Sequence, residues 1–299
     1  MSGRPFTFWR ALPLIGEPAS SYFSRLVMDE CNHLPEVYAS EVGVAPIFKS
    51  QELLDRIFLL PISEGDKERL VHWTPLERNG RIDLAGQTFR RNEFRWSRRL
   101  ECQQCVAEIP YQRVWWHFEF FRSCPVHRCR LQPVRGGQTR SGRWWPRFDH
   151  ATRERLPDIE LGNAGDTIES YIISCLMSPS PRTSRRHLSD FIAAAEFAGR
   201  LLNNRRQPTV PTFSPEDLET GHLALKDGIS GFTESFRRWL NYNPPTACAY
   251  HPRDVVGWAA EYALDHSGSF DPDTDDVPNP ILGEISAIIQ AECERVLAR

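Results

Sequence analysis

Four side chains in the middle of the chain have the types and the spacing of metal ligands. Cys102 and Cys105 form a Cys-x2-Cys turn, and Cys124 and His127 form a Cys-x2-His turn 18 residues later. Thiolate sulfur and imidazole nitrogen are ligands that Zn²⁺ binds in a four-coordinate tetrahedron. The spacing therefore predicts one zinc site. Because four protein ligands fill the shell, it predicts a structural site and not a catalytic one.

Two alternatives to this ligand set remain open. Cys129 lies two residues beyond His127 and could replace it as the fourth ligand. The same cysteines could also be buried core residues that hold no metal. His117 and Glu119 match half of a nucleobase-deaminase signature, but the Pro-Cys-x-x-Cys that completes it is lacking. No phosphate-binding Gly-Lys-Ser/Thr or Gly-x-Ser-x-Gly motif occurs either, so we expect a protein that is not an enzyme.

The segments around these ligands are predicted to form a small β zinc ribbon. Residues 111–121 are aromatic and β-prone, so a strand is expected there, with one tryptophan of the pair Trp115-Trp116 pointing inward and the other outward. The same inward and outward placement is expected of Trp144-Trp145. Residues 133–149 are basic and rich in glycine, which is typical of a loop.

Helical patterns flank the ribbon on both sides. Toward the N-terminus, helices are expected in residues 17–43, where Leu34-Pro35 starts a second short helix, and in residues 50–61. Residues 81–86 are expected to form a short strand or loop. Toward the C-terminus, Ser214-Pro215 and Asn279-Pro280 have the cap-then-proline pattern of helix starts. These patterns predict a mainly α fold with a small β zinc ribbon. Its regions are an N-terminal helical unit (1–100, with a helix-turn-helix possible), the ribbon and basic loop (101–150) and a C-terminal helical domain (160–299).

Arginine is concentrated in the middle of a chain whose formal net charge is -3. Residues 69–155 contain 18 arginines, no lysine and eight acidic residues, a net charge of +10. One guanidinium group can bind two phosphate oxygens at once, so this region is predicted to contact nucleic-acid phosphates. The alternative is that the chain uses arginine in place of lysine throughout. The predicted contacts are Arg98, Arg99, Arg113, Arg135, Arg140, Arg143 and Arg147.

Hydropathy and cysteine usage indicate the compartment. Mean hydropathy is -0.45, and no run of 18 apolar residues suggests a membrane span. The first residues lack the apolar stretch of a signal peptide, so we expect a cytoplasmic protein without a membrane partner, in which the eight cysteines stay reduced.

Two segments resemble the TniQ family, accessory proteins of bacterial transposons. The first is LPLIGEPASSYFSRLVMDE at 12–30, in which Pro18, a serine pair and a Ser-Arg-Leu at 24–26 match the opening of the family. The second is the segment from Cys102 to Leu131, which we call the ligand region, where an aromatic segment with Arg113 and Trp115 lies between the two ligand turns. Residues 221–240 resemble a third family segment more weakly. Many members carry a further Cys-x2-Cys, which residues 130–142 lack, so a second metal site is not expected.

The resemblance implies a function as well as a fold. It implies a non-catalytic targeting factor in DNA transposition that binds double-stranded DNA, or a DNA-bound targeting complex. Such a factor recruits an AAA+ ATPase regulator and, through it, the transposase. The alternative is an adaptor that contacts only protein and docks on an RNA-guided or other targeting complex. A homodimer is compatible with either interpretation.

Overall fold

The structure is a computed structural model, and it describes residues 12–31, 33–43, 50–95, 99–134, 145–146, 167–177, 187–204, 209–211, 214–245, 249–261 and 279–298. It is mainly helical with little strand, as predicted. The chain divides into two compact units. The first comprises Met1–Asn163 and Ile172–Arg185, and the second comprises Ala164–Tyr171 and Arg186–Arg299. The ligand region therefore belongs to the same unit as residues 1–100.

Among the described residues of the first unit, four short helices come first: α1 (Ala19–Cys31), α2 (Pro35–Glu41), α3 (Ser50–Ile57) and α4 (Glu64–Trp73). Pro35 occupies the first helical position of α2, as predicted from the sequence. Ser63 caps α4 by accepting the backbone N–H of Asp66 at 3.2 Å. The buried faces of these helices pack into one core that includes Tyr22 and Trp145.

A three-stranded antiparallel sheet follows α4. Its strands are β1 (Leu76–Arg78), β2 (Arg81–Leu84) and β3 (Gln87–Arg90), paired in the order β1-β2-β3. Each connection is a two-residue turn, Asn79-Gly80 and Ala85-Gly86, with positive φ at both positions. Such turns match the natural twist of paired strands. Residues 81–86, expected to be a short strand or loop, therefore form the middle of a sheet.

The second unit is helical in the part that the structure describes. Its helices are α7 (His187–Asn203), α8 (Pro215–Leu225), α9 (Ile229–Tyr242), α10 (Pro252–Val256) and α11 (Pro280–Leu297). Helix α6 (Ile168–Met177) is divided between the units. Its first four residues belong to the second unit, and the rest belong to the first. Ser214 caps α8 and Asn279 caps α11, as predicted. Across the described ranges, no helix combines the length and the apolar character that crossing a membrane would require.

Helices α7 and α8 approach each other at two glycines. A Cβ atom at Gly199 would lie 1.5 Å from the carbonyl oxygen of Asp217, and one at Gly221 would lie 1.7 Å from that of Ala195. Both distances are far inside van der Waals contact. The two helices therefore pack backbone against backbone, which requires glycine at both positions.

Candidate metal centre

Short elements of the first unit bring the four predicted ligands together. Helix α5 (Gln103–Glu108) begins directly after Cys102, whose Sγ accepts the backbone N–H of Cys105 at 3.4 Å. The second ligand turn is closed by two backbone bonds, from Cys124 N–H to the Cys129 carbonyl (2.8 Å) and from Arg128 N–H to the Cys124 carbonyl (2.7 Å). Each ligand turn is therefore held in shape by its own hydrogen bonds.

The predicted ribbon is reduced to two residues of strand on each side. Strand β4 (Leu100–Glu101) pairs antiparallel with β5 (Gln132–Pro133) and joins the ends of the ligand region. The strand expected over 111–121 is wrong: Val114–His117 forms a 3-10 helix. Trp115 and Trp116 are both 1% exposed, so the inward and outward placement expected of this pair is also wrong. A helical turn can bury two consecutive side chains that a strand would separate.

The ligand atoms form a compact group. The Nδ1 atom of His127 lies 3.5 Å from Cys102 Sγ, 3.2 Å from Cys105 Sγ and 3.7 Å from Cys124 Sγ. Cys105 Sγ and Cys124 Sγ are 3.5 Å apart, and all four ligand atoms lie within 4.8 Å of one another. The three cysteines are buried, and His127 is partly buried. This group can hold a metal ion.

The distances can be compared with a tetrahedral zinc site. Zn–S bonds of about 2.3 Å and Zn–N bonds of about 2.0 Å place two sulfurs about 3.8 Å apart, and sulfur and nitrogen about 3.5 Å apart. In the structure, the separations between Nδ1 and the three sulfurs are close to these values, as is the distance between Cys105 Sγ and Cys124 Sγ. The residues present therefore fit a tetrahedral ion held by three sulfurs and one nitrogen.

Glu108 supports the histidine from outside the ligand group. The Nε2 atom of His127 lies 2.9 Å from Glu108 Oε1. If Nδ1 held a metal ion, Nε2 would carry the ring proton and donate a hydrogen bond to this carboxylate, which would fix the ring orientation and make Nδ1 a better ligand. Sequence reasoning missed Glu108, although it lies one helical turn after Cys105 on α5.

The thiols share protons unequally, as expected of sulfurs forced into contact. The hydrogen bond from Cys105 lowers the pKa of Cys124 to about 5, and burial raises the pKa of Cys102 to about 11. Donating that bond to Cys124 raises the pKa of Cys105. Burial lowers the pKa of His127, but its bonds to Glu108 and Cys124 outweigh burial and raise it overall. A metal ion must therefore displace protons to bind all four groups.

A buried guanidinium lies beside the thiols. Arg113 is 4% exposed, with its guanidinium carbon 4.3 Å from the ring centre of Tyr111 and 5.0 Å from that of Trp116. Its positive charge lowers the pKa of the Cys105 thiol, although the Cys124 bond has the larger effect in the opposite direction. Three thiolates around a divalent ion would carry a net negative charge, which the neighbouring guanidinium would offset.

The ligand region packs on the opening segment of the chain, residues 12–30. Val114 N–H donates to the Gly16 carbonyl at 2.7 Å, and Gln112 N–H donates to Ser21 Oγ at 2.9 Å. A Cβ at Gly16 would lie 2.1 Å from the Trp115 ring, and φ at Gly16 is +74°. Only glycine meets both demands. The two segments that resemble the TniQ family are therefore in direct contact.

A buried carboxylate holds the opening segment in shape. Glu17 is 0% exposed, and its carboxylate accepts hydrogen bonds from Nε and Nη2 of Arg25, at 2.9 Å and 2.7 Å. It also accepts the Ser21 hydroxyl (3.1 Å) and the Leu14 backbone N–H (3.0 Å). Four donors saturate the carboxylate, which is how a buried charge is tolerated. Sequence reasoning gave Glu17 no role.

The arginines predicted to contact phosphate fall into two groups. Arg99 and Arg113 are 6% and 4% exposed, so neither guanidinium is presented to solvent, and a surface phosphate contact through them is not what the structure shows. Burial lowers the pKa of Arg99 to about 10. The remaining five lie outside the described residues: Arg98, Arg135, Arg140, Arg143 and Arg147.

No protein-family model matches this chain, and no curated protein matches it.

Proposed function

We propose that Cys102, Cys105, Cys124 and His127 hold one structural Zn²⁺. The observation that carries this is the set of ligand distances, which suits a tetrahedral shell of three sulfurs and one nitrogen, together with the second bond from His127 to Glu108. The ion would supply a cross-link between helix α5 and the second ligand turn. Four ligands leave no position for substrate, which favours a structural role.

Cys129 remains the competing fourth ligand. Its Sγ lies 3.4 Å from Cys102 Sγ, but it is outside the group of four atoms that are mutually within 4.8 Å. We therefore favour His127. Zinc content measured on Cys129→Ser and His127→Ala decides between them: Cys129→Ser keeps one equivalent if His127 is the ligand, and His127→Ala keeps it if Cys129 is.

We further propose that the chain is a non-catalytic accessory factor in DNA transposition. In this role it binds double-stranded DNA or a DNA-bound targeting complex, and it recruits an AAA+ ATPase regulator and the transposase. The support is the resemblance of two segments to the TniQ family, which the structure finds bonded to each other through Gly16 and Ser21. The basic middle of the sequence supports the nucleic-acid part of the proposal.

One observation favours the protein-only adaptor as a second candidate. Arg99 and Arg113 are buried, which removes two of the seven arginines predicted to contact phosphate. An adaptor that docks on an RNA-guided or other targeting complex needs no direct DNA contact, so it tolerates this loss.

The experiment is equilibrium binding of the zinc-loaded full chain to a labelled DNA duplex across a salt series. Binding that weakens steeply with salt supports direct phosphate contact by the chain. No binding even at low salt, with zinc bound at one equivalent, would defeat the DNA-binding role and favour the adaptor. The same experiment is made with Cys102→Ser, which loses one proposed zinc ligand. Its matched control is Cys129→Ser, which keeps all four.

A further inference from the structure

One cysteine beside the metal centre is outside the proposed ligand set. Cys129 follows His127 by two residues, and its Sγ atom lies 3.4 Å from Cys102 Sγ. It is not a member of the group of four ligand atoms that lie within 4.8 Å of one another. An ion held by those four ligands therefore makes no use of Cys129, although its thiol is in contact with a ligand sulfur.

Cys129 is also the thiol of this group that solvent reaches. Cys102, Cys105 and Cys124 are each at most 1% exposed, whereas Cys129 is only half-buried. An oxidant that arrives from water therefore meets Cys129 before it meets the ligand sulfurs. Oxidation-sensitive cysteines typically combine such exposure with a second cysteine close enough to form a disulfide. Cys129 meets both conditions, whereas the buried pair Cys105 and Cys124, with their sulfurs 3.5 Å apart, meets only the second.

Backbone hydrogen bonds hold Cys129 in this position. Its carbonyl accepts the Cys124 N–H at 2.8 Å, and the Arg128 N–H donates to the Cys124 carbonyl at 2.7 Å. The φ angle of Arg128 is +51°, in the left-handed region, which turns the chain sharply before Cys129. Cys102 directly follows β4, which is itself held by its pairing with β5. The contact between the two sulfurs is therefore set by the backbone on both sides.

We propose that Cys129 is an oxidation site for hydrogen peroxide and that Cys102 converts the oxidised sulfur to a disulfide. In the first step the Cys129 sulfur bonds to one peroxide oxygen and the O–O bond breaks. The other oxygen leaves as water with the thiol proton, so Cys129 becomes a sulfenic acid. In the second step the Cys102 thiolate attacks the Cys129 sulfur, the S–O bond breaks and hydroxide leaves. One thiol and one thiolate together lose two electrons, and one peroxide is reduced to water and hydroxide.

The disulfide would remove one sulfur from the proposed zinc ligands. Cys105, Cys124 and His127 alone would hold the ion more weakly, so zinc would be released. Reduction of the disulfide by a dithiol would restore the Cys102 thiol and the full ligand set. This consequence rests on the zinc site proposed above, whereas the oxidation itself does not. Zinc content, and with it the folding of the ligand region, would then depend on peroxide.

The test exposes the zinc-loaded full chain to hydrogen peroxide, maps disulfides by peptide mass spectrometry and measures released zinc with a chelating dye. The wild type is expected to form the Cys102–Cys129 disulfide and to release its zinc, and a dithiol should reverse the bond. Cys129→Ser keeps all four proposed ligands, so it should bind one equivalent of zinc, form no such disulfide and release zinc severalfold more slowly. The matched control is Cys175→Ser, which removes a half-buried thiol elsewhere in the chain and should behave as the wild type.

The remaining outcomes separate the oxidation site from the zinc site. Zinc bound at one equivalent, with Cys129 still a thiol at peroxide doses that oxidise other cysteines, would overturn the oxidation site and leave the zinc site standing. A Cys105–Cys124 disulfide formed in preference would do the same. A wild type that binds no zinc and yet forms the Cys102–Cys129 disulfide would overturn the zinc site and support the oxidation site. Zinc missing from Cys129→Ser before any oxidant is added would make Cys129 a ligand, and would overturn both the choice of His127 and the inference.

Discussion

At the metal centre, the ligand atoms of three cysteines and a histidine form a largely buried polar cluster. Where α7 meets α8, by contrast, Gly199 and Gly221 allow the two helix backbones to come into contact. The first arrangement leaves thiols, a guanidinium and a carboxylate to be stabilised by charge and, in our proposal, by an ion. The second relies on shape and on the exclusion of water. The comparison teaches that one chain combines a region stabilised by specific polar bonds with a region stabilised by close packing. Different changes should therefore damage each region.

The largest effect is expected from Cys105→Ser. Zinc binding contributes about 10–16 kcal/mol to the folding of small metal domains, so loss of a ligand should remove the metal and unfold the ligand region. Zinc content and hydrogen exchange measure this: residues 99–134 should lose protection while residues 187–203 keep it. Cys293→Ser, at a buried cysteine of the second unit, should give the reverse pattern. One bound zinc and full protection of 99–134 in Cys105→Ser would contradict the ligand assignment.

The next effect is expected from Glu17→Gln. The change leaves the largely buried Arg25 without its charged partner, which typically costs about 3–5 kcal/mol of unfolding free energy. The control is Glu64→Gln, which removes the 82% exposed carboxylate from its pair with Lys67 and should cost at most about 1 kcal/mol. Urea denaturation of the two variants measures both changes. Equal stabilities would mean that burial adds nothing to the Glu17–Arg25 pair.

Acid should weaken the first unit through His117. Burial, together with the positive charges of Arg99 and Arg95, lowers the pKa of His117 to about 4. The unfolded chain takes up this proton near pH 6.5, so stability is complete above that pH and falls as pH decreases toward 4, by about 3 kcal/mol. His117→Gln cannot take up the proton. The stability difference between wild type and His117→Gln, measured by urea denaturation at pH 7 and pH 4.5, should therefore shrink at the lower pH. A difference that is the same at both pH values would contradict this role.

The smallest effect is expected in the second unit, from Gly221→Ala. Its Cβ would meet the Ala195 carbonyl, and relief of such an overlap typically costs about 1–3 kcal/mol. Gly283→Ala is the control, because nothing lies within 4 Å of its Cβ, and alanine there should stabilise α11 by up to about 1 kcal/mol. Thermal melting should shift in opposite directions while zinc content stays constant. A shift in the same direction would contradict the close approach of α7 and α8.

Local signals explain which parts of the fold the sequence predicted well. The starts of α2, α8 and α11 are each marked by a proline at the first helical position, and the structure has all three. The ligand spacing is equally local, and the structure brings those four side chains together. Asn79-Gly80 is a strong hairpin signal of the same kind, but its flanking strands are only three and four residues long, so they carry little alternation.

Tertiary contacts explain what sequence reasoning missed. The aromatic run at 111–121 was predicted to be a strand, yet the chain turns there, where Val114 N–H bonds to Gly16 and Gln112 N–H bonds to Ser21, more than 90 residues earlier in the chain. No propensity scale contains such a partner. Arg113 was predicted to contact phosphate as part of the arginine-rich middle, and only the rings of Tyr111 and Trp116, 4.3 Å and 5.0 Å from its guanidinium carbon, make its burial understandable.

The fit between Gly16 and Trp115 has a consequence for how this protein can be cut, fused or recombined. The ligand region depends on the opening segment of the chain for its structure. A fragment of residues 99–134 would carry every ligand, yet its Val114 and Gln112 N–H groups would lose the acceptors that Gly16 and Ser21 provide. Trp115, now 1% exposed, would lose the glycine on which it rests. Recombination between related genes would preserve a folded ligand region only when this region and the opening segment, residues 12–30, are inherited together.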